Sequence, residues 1–317
     1  MIKKLFVFIA LFIAMAGNAQ QVGTWKVHPI TGSSATNVTA TPNNVFFLLA
    51  DNLYCYDQNE QSVIHYNIQN YLSDSGIKNI YYNYEHHYLF VVYSNCNIDI
   101  VTDEGKTYNF PDVKDVVITG SSAAKTVNGV TFCPSANKVY VATSFGIVVI
   151  DDKKMEIRES RRYDAAVSGV AQIGDYLIVS TAAGTYFDLA SKPNVQLGSM
   201  AGFDANLKSA QFYDLNGSQF VAFATNTTLV CKIENGALSK TSVVGATPDC
   251  CQTKNDGNVF IPYTSGKYFY VVNKADGSFA KTSYPSAVSG ERVSSYDGTY
   301  WASGTKGHHH VDASGST

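Results

Sequence analysis

The 317-residue chain carries 23 basic and 26 acidic residues, a net charge of −3 that argues against a nucleic-acid partner, since nucleic-acid binding needs a basic surface. Charged residues make up only 15% of the sequence, against about 25% in typical soluble domains, whereas Tyr and Phe, which favour strands, are numerous. The six cysteines show no CxxC or Cys/His metal spacing, and we expect most of them to be small buried hydrophobes.

The N-terminal residues have the layout of a secretory signal peptide. Lys3 and Lys4 precede an apolar run over residues 5–16, which is too short to span a bilayer comfortably as a mature helix. Small residues at Gly17 and Ala19 predict cleavage after Ala19; a retained membrane anchor is the alternative. We therefore expect residues 1–19 to be removed and the protein to be exported to the periplasm or the outer-membrane cell surface, with no transmembrane segment in the mature chain.

The rest of the chain repeats a unit of two strands joined by a tight turn. Residues 137–151 are the clearest copy, with a turn at Phe145-Gly146 and a second strand that ends in Asp151. The copies start 37 to 51 residues apart, about 42 on average, which is the size of one four-stranded propeller blade. The related stretches are residues 45–57, 88–102, 176–189, 219–233, 259–272 and 299–312.

Further strands flank each hairpin. Each hairpin is preceded by a four-residue pattern, in which two polar or small residues lie between two apolar residues. This pattern suits a crowded innermost strand. The examples are Ile77–Ile80, Val127–Val130, Val167–Val170 and Leu207–Ala210. A polar edge strand follows it, as in residues 106–110 and 156–163. The hairpin turns carry Gly or Asn where a positive φ is needed, at Asn52, Asn97, Gly146, Gly184, Gly266 and Gly307.

These patterns predict an all-β fold, a single β-propeller of about seven four-stranded blades over residues 20–317. A β-sandwich is the alternative, but it does not explain the repeat length. The last unit, whose inner strand lies near residues 291–296, lacks a fourth strand, and we expect the spare strand Thr24–His28 to close the ring by completing it. The predicted blades are residues 36–70, 71–120, 121–165, 166–202, 203–245, 246–285 and 286–317 with 24–28.

Two cysteines test this blade register. Cys55 and Cys231 occupy the same position in the first and fifth units. Blades that are not neighbours cannot bring two Cα atoms within the roughly 7 Å that a disulfide allows. We therefore expect both thiols to be buried and unpaired. The adjacent Cys250 and Cys251 would form only a strained vicinal disulfide.

Four segments carry a resemblance to a known family: Val22–Lys26, Tyr71-Leu-Ser-Asp74 with the following Ile77–Ile80, Val92–Asp99, and Ala142–Asp151. They resemble the first propeller of PorZ-like proteins, surface components of the type IX secretion system of Bacteroidetes. The Leu-Ser-Asp element and the Gly-Ile-x-x-Ile-Asp turn are also similar to propeller repeats of hybrid two-component sensors. The resemblance extends over about residues 22–190 and is weaker beyond.

This resemblance implies a non-enzymatic role at the cell surface, where PorZ-like proteins assist the sortase that joins cargo proteins to anionic lipopolysaccharide. It implies secretion-system surface proteins such as this sortase as partners, an anionic polysaccharide as ligand, and no cofactor. Family members are expected to carry two propellers and a C-terminal sorting domain. A chain with one propeller is therefore either a fragment of a longer protein or a stand-alone relative.

Candidate catalytic or metal-binding groups are few. On a strand, His308 and His310 share a face and His309 points away, and this cluster is more typical of an irregular terminal blade than of a metal site. Asp99 and Asp103 lie near a hairpin end with no visible partner for acid–base chemistry. The chain has no GxSxG or HExxH element and no phosphate-binding Gly loop. The sequence therefore predicts no catalytic residues, no metal ligands and no enzyme activity.

Polar residues at the starts of the innermost strands form the candidate binding site. These strand starts surround the channel of a propeller, and mixed charge there suits a sugar or a peptide; a channel lined only by water is the alternative. The predicted ring consists of Lys78, Asn128, Ser168, Lys208, Asp249 and Glu291.

The leading interpretation is an exported binding and scaffold propeller that assists type IX secretion and cargo attachment. The alternative is an oligosaccharide-sensing periplasmic propeller of a hybrid two-component system. A propeller hydrolase or lyase is disfavoured because no acid–base pair stands out.

Overall fold

The structure is a computed structural model that describes residues 35–117, 124–192, 196–224, 227–235, 237–244, 252–253, 258–263, 268–284, 292–296, 298–304 and 307–312. It contains seven antiparallel sheets, in each of which the strands are paired in chain order. The prediction of an all-β propeller with seven blades is confirmed. Six sheets have four strands, and the seventh has three within these residues.

In every blade the first strand is the innermost. Blade 1 holds β1 (Asn37–Ala40), β2 (Asn44–Leu49), β3 (Asn52–Asp57) and β4 (Ser62–Tyr66). Blade 2 holds β5 (Ile77–Asn83), β6 (Tyr88–Tyr93), β7 (Ile98–Thr102) and β8 (Thr107–Asn109), and a short helix α1 (Asp112–Asp115) follows it. Blade 3 holds β9 (Val127–Cys133), β10 (Lys138–Thr143), β11 (Gly146–Asp151) and β12 (Glu156–Arg162).

The second half follows the same plan. Blade 4 holds β13 (Val167–Ile173), β14 (Tyr176–Thr181), β15 (Gly184–Leu189) and β16 (Ala201–Asp204). Blade 5 holds β17 (Gln211–Asp214), β18 (Gln219–Ala224), β19 (Thr227–Glu234) and β20 (Ala237–Val244). Blade 6 holds β21 (Gln252–Thr253), β22 (Asn258–Tyr263), β23 (Tyr268–Asn273) and β24 (Phe279–Ser283). Blade 7 holds β25 (Arg292–Tyr296), β26 (Thr299–Gly304) and β27 (Gly307–Val311).

An apolar cluster fills each seam between neighbouring blades. Each fully buried side chain of the size of Val, Leu or Phe contributes roughly 1.5–3 kcal/mol, so the seams hold most of the stabilising contacts. The seam between blades 7 and 1 closes the ring, and two hydrogen bonds reinforce it. The Ala35 amide donates to Ser303 Oγ (2.8 Å) and the Ala40 amide to Ser294 Oγ (2.9 Å).

The innermost strand of blade 5 begins later than the sequence pattern predicts. Three of the predicted segments open β5, β9 and β13, which confirms them, but Leu207–Ala210 precedes β17 and is not a strand. Ser209 has a φ of 53°, which extended backbone excludes. The Ala210 amide instead donates to Ser180 Oγ of blade 4 (2.8 Å). The prediction of a strand at residues 207–210 was therefore wrong.

Two of the predicted turn residues were also wrong. The expected positive φ occurs at Gly146 (134°), Gly184 (144°) and Gly307 (91°). In blades 1 and 2 it falls on Ala50 (57°) and Cys96 (70°) instead of Asn52 and Asn97. Asn52 is already the first residue of β3, and the Asn97 amide donates to Asn95 Oδ1 (2.9 Å), so this side chain sets the second turn.

Several predictions fall outside the described residues: the signal peptide, the closing strand Thr24–His28, Gly266, and the pair Cys250 and Cys251. The fourth strand of blade 7 therefore stays a prediction. None of the helices in the described part of the chain is long and apolar enough to cross a membrane.

Candidate binding site in the central channel

A cavity of about 980 Å³ occupies the centre of the ring. The innermost strands of blades 1, 2, 3 and 5 form most of its walls, through residues such as Asn37, Tyr81, Thr131 and Tyr213, and Arg292 at the start of β25 in blade 7 also lines it. No described residue of blade 4 lines it. Blades 3 and 5 meet in front of blade 4, where the Thr131 hydroxyl donates to the carbonyl of Phe212 (3.3 Å).

Two of the predicted ring residues connect neighbouring blades. Lys78 Nζ donates to the Val127 carbonyl (2.6 Å), and Asn128 Nδ2 donates to the Val167 carbonyl (2.8 Å). In both cases the acceptor is the first residue of the next innermost strand. These side chains therefore stabilise the ring at one end of the channel.

The other predicted ring residues lie elsewhere. The Ser168 hydroxyl donates to the Ser180 carbonyl of its own blade (2.9 Å). Lys208 is exposed in the segment before β17, and Asp249 and Glu291 fall outside the described residues. Of the four that are described, only Asn128 lines the cavity. A ligand-binding role for this ring stays a prediction.

Gln211 of blade 5 is hydrogen-bonded to blades 3 and 4. Its Nε2 donates to the Asn128 carbonyl (3.1 Å) and also to the Ser168 carbonyl. Its Oε1 lies 1.9 Å from the place where a β-carbon on Gly129 would stand. This contact explains why the innermost strand of blade 3 has a small residue at position 129. A larger side chain there would collide with Gln211, which joins blades 3, 4 and 5.

Carboxamide groups form the wall of blades 1 and 2. Asn37 Nδ2 donates to Asn79 Oδ1 (2.8 Å) and to the Ile80 carbonyl (2.9 Å), and Asn79 Nδ2 donates to the Tyr81 hydroxyl (3.0 Å). Burial raises the pKa of Tyr81, partly offset by the bond from Asn79. The Tyr81 hydroxyl therefore stays protonated at neutral pH and can donate a hydrogen bond.

The turns between the first and second strands of blades 2, 3 and 5, together with the turn between the third and fourth strands of blade 6, form one end of the cavity. We call this end the acidic mouth; its lining includes Glu85, Asp214, Asn216 and Lys274. Lys274 Nζ of blade 6 lies 3.2 Å from Glu85 Oε1 of blade 2, so this ion pair joins turns from opposite sides of the ring. Asn216 Nδ2 holds the Lys274 main chain by donating to its carbonyl (2.7 Å).

Asp214 is the half-buried carboxylate of the acidic mouth. Its Oδ1 accepts the Gly217 amide (2.8 Å), which fixes the turn between β17 and β18. Burial raises the pKa of this carboxyl, while the Gly217 and Asn216 amides and the charge of Lys274 oppose the rise. Among the ion pairs formed within the described residues, none includes Asp214.

The Leu72-Ser73-Asp74 element lies away from the cavity and supports blade 2. The Ser73 amide donates to Asp99 Oδ2 (2.7 Å), which also accepts the Tyr93 hydroxyl, while Asn109 Nδ2 donates to Asp99 Oδ1 (2.8 Å). Asp99 is fully buried. This carboxylate therefore accepts hydrogen bonds that hold blade 2 together.

Asp74 extends the same network at the surface. Burial alone would raise its pKa, but hydrogen bonds from Asn95, the Ser75 amide and Lys114, together with the charge of Lys114, lower it to about 2. Lys114 Nζ lies 3.0 Å from Asp74 Oδ2. The element therefore ties the loop before β5 to the β6–β7 turn and to α1.

The histidines of β27 pack on aromatic rings. His308 lies against Phe47 of blade 1 (ring centroids 4.6 Å apart) and His310 against Trp301 (4.7 Å). Burial, with the neighbouring His309, lowers the pKa of His308. No group of three or more His, Cys, Asp or Glu within the described residues could hold a metal ion.

The prediction that Cys55 and Cys231 are buried and unpaired is confirmed. Cys55 and Cys231 are buried and free, as are Cys96 and Cys133. Burial raises the pKa of Cys55 and of Cys231 to about 12.

The sequence patterns did not identify Glu85, Asp214 or Lys274. All three lie in or next to turns between strands, where no spacing rule applies. The topology could have indicated them, because the turns between first and second strands and between third and fourth strands of every blade lie on one face of a propeller.

Residues 45–197 match the family model of the N-terminal β-propeller domain of PorZ, a type IX secretion protein. The resemblance to the PorZ N-terminal propeller is confirmed. PorZ of Porphyromonas gingivalis, described as an essential bacterial surface component of the type IX secretion system, is also similar in structure, with a TM-score of 0.67 and 18% identity. The match covers 90% of this chain and 37% of PorZ, so the chain spans well under half of the length of that protein.

Other solved propellers share the fold at lower similarity. Virginiamycin B lyase from Staphylococcus aureus, in a catalytically inactive form with quinupristin, has a TM-score of 0.57 and 12% identity over 89% of this chain and 96% of its own. The WD40 propeller domain of Doa1 has a TM-score of 0.57 and 11% identity over 88% and 92%. No curated protein sequence matches the chain. At these identities the structural matches establish the propeller fold alone.

Proposed function

We propose that the protein is a non-enzymatic binding and scaffold propeller of type IX secretion, exported to the cell surface, where it assists cargo attachment and binds lipopolysaccharide glycan. The observation that carries this proposal is the match of residues 45–197 to the PorZ N-terminal propeller domain. Secretion-system surface proteins such as the sortase are its proposed partners.

The chemistry of the cavity supports a glycan ligand. Its walls carry carboxamides such as Asn79 and Asn128, hydroxyls such as Thr39 and Ser135, and the rings of Tyr81 and Phe132. Carboxamides and hydroxyls both donate and accept hydrogen bonds, which matches the hydroxyl groups of a sugar. Pockets that combine apolar walls with a few polar groups are typical of preformed binding sites.

The positions of the carboxylates support a non-enzymatic role. Asp99 is buried beneath its hydrogen-bond donors, and Asp103 accepts the Tyr82 hydroxyl (2.8 Å) outside the cavity lining. Within the described residues, no histidine lines the cavity. In the acidic mouth, Glu85 pairs with Lys274 and Asp214 accepts the Gly217 amide, so both carboxylates hold turns in place.

The test measures binding of the anionic polysaccharide of lipopolysaccharide to the mature protein, with dextran as the neutral control. Ser135→Trp places an indole in the cavity and should weaken binding by at least about tenfold. Ser160→Trp, on the exposed edge strand β12, is the matched control and should bind normally. Binding no stronger than to dextran would refute glycan binding, and binding unaffected by Ser135→Trp would refute the cavity as its site. Cleavage of the glycan would refute the non-enzymatic role. A pull-down from envelope extract tests the protein partners.

A further inference from the structure

The acidic mouth carries one more negative charge than positive charge. Glu85 and Asp214 contribute two carboxylates to its lining, and Lys274 contributes one ammonium group. Lys274 is directed to Glu85, at 3.2 Å, and not to Asp214. Among the described residues, Glu85 therefore has an ion-pair partner and Asp214 has none, although the charge of Lys274 also acts on Asp214.

The surroundings of Asp214 strengthen its electric field. Its carboxyl is half-buried, so water screens it less than it screens an exposed side chain. One oxygen accepts the Gly217 amide, and the carboxylate lines the central cavity. Low-dielectric walls around a single charge focus its field on the space in front of it. A cation in that space gains this attraction.

We propose that the acidic mouth binds the ammonium group of an amine-bearing ligand at Asp214, while the rest of the ligand lies in the cavity. This inference rests on the proposed function in one respect, namely that the central cavity is the binding site. Lys274 shows that an ammonium group fits between these turns. Two sources share the required chemistry: a peptide with a free amino terminus or lysine, and an amino sugar.

The experiment compares amines with their acetylated forms by isothermal titration of the mature protein. The probes are trialanine and N-acetyl-trialanine, and glucosamine and N-acetylglucosamine. We expect at least one free amine to bind about tenfold or more tightly than its acetylated form. Binding of trialanine alone assigns a polypeptide, and binding of glucosamine alone assigns an amino sugar; both outcomes support the proposal.

Two variants and a control test the residues. Asp214→Asn retains an acceptor for the Gly217 amide but removes the charge, and should weaken amine binding about tenfold or more. Glu85→Gln removes the excess negative charge of the mouth without touching this turn, so it tests the proposal even if Asp214→Asn does not fold. Asp276→Asn is the control, because Asp276 is an exposed turn carboxylate that accepts the Ser278 amide outside the cavity.

Equal affinity for free and acetylated probes, no binding of either amine at about 10 mM, or unchanged affinity in both the Asp214→Asn and Glu85→Gln proteins would overturn the proposal. A failure of the proposed function can be distinguished from a failure of this proposal. Amine binding that depends on Asp214, in a protein that does not bind the anionic polysaccharide, would refute recognition of that polysaccharide and leave this inference in place.

Discussion

The side-chain oxygen of Gln211 lies 1.9 Å from the position of a β-carbon on Gly129. Since no such contact can persist, an added methyl group must displace the carboxamide, and with it the hydrogen bonds to the carbonyls of Asn128 and Ser168. The glycine in blade 3 and the glutamine in blade 5 therefore form one structural unit, although 82 residues separate them in the sequence.

Gly129→Ala should lower the free energy of unfolding by about 1–3 kcal/mol, because each lost hydrogen bond contributes about 0.5–1.5 kcal/mol. Gly169→Ala should cost more, since its β-carbon would stand 2.0 Å from the main-chain oxygen of Ala210, which cannot rotate away. Urea unfolding measures both. Gly202→Ala, where an added β-carbon meets nothing within 4 Å, is the control; equal losses at all three positions would contradict the packing argument.

Asp152→Ala should destabilise the seam between blades 2 and 3 by about 2–3 kcal/mol. The side chain of Asp152 is fully buried, and its Oδ2 accepts the Tyr88 hydroxyl (2.7 Å) and lies 2.8 Å from His86 Nδ1. Removing the carboxylate leaves the buried hydroxyl without this partner. Asp164→Ala, at an exposed position, should change the free energy of unfolding by less than about 0.5 kcal/mol. A loss at Asp152 as small as that at Asp164 would show that the network is not stabilising.

The stability of the protein should fall as the pH drops below about 6.5, in part because of His308. Its folded pKa is lowered by burial from the ordinary value of 6.5, and both ring nitrogens are buried without a hydrogen-bond partner. As the pH falls, the unfolded chain therefore takes up the proton before the folded chain does. The contribution of neutral His308 to the free energy of unfolding is complete above the pKa of the unfolded chain and is lost as the pH falls toward the lower pKa of the folded protein. Melting temperatures from pH 8 to pH 5 should show a smaller decrease for His308→Leu than for the wild type. His65→Leu, at an exposed position, should retain the wild-type profile; an unchanged profile in His308→Leu would exclude His308 as the cause.

Native protein at pH 8 should react very slowly with iodoacetamide at Cys55, Cys96, Cys133 and Cys231. All four thiols are buried, and burial raises their pKa values, so the reactive thiolate is scarce. Peptide mapping before and after unfolding in urea measures the protection. A cysteine introduced by Ser160→Cys on the exposed edge strand β12 should be labelled rapidly. A linked peptide between Cys55 and Cys231 would contradict the blade register.

Deleting residues 20–29 should lower the melting temperature and cause association. The predicted strand Thr24–His28 would protect the outer edge of blade 7, and an uncovered edge pairs readily with another chain. Differential scanning calorimetry and light scattering measure the two effects, with deletion of residues 20–22 as the control. A truncated protein that stays monomeric with unchanged stability would refute this closure.

The hairpins could be predicted because their determinants are local. In blade 3, Thr143 pairs with Gly146 and Val139 pairs with Ile150, so the turn alone fixes the register of β10 against β11. Repetition of this unit along the chain then gave the number of blades. Seams form wherever consecutive blades meet, which is why the burial of Cys55 and Cys231 also followed from the sequence.

The remaining features depend on contacts that no local pattern encodes. Leu207–Ala210 has the same apolar pattern as the start of β13, but blade 4 holds it in a different conformation. Glu85 and Lys274 are 189 residues apart and meet only because the ring brings their turns together. Of the predicted ring residues that are described, only Asn128 lines the cavity, because the other lining residues come together only in the folded ring, whereas the strands of the ring could be predicted.

The Leu72-Ser73-Asp74 element has a consequence for how relatives of this protein should be compared. Its polar groups are engaged by blade 2 and by α1, and none of its three residues lines the cavity. Two proteins can therefore share this signature while differing at every turn of the acidic mouth. Similarity in the element therefore concerns the scaffold, and ligand preference has to be compared at the turns around Glu85, Asp214 and Lys274.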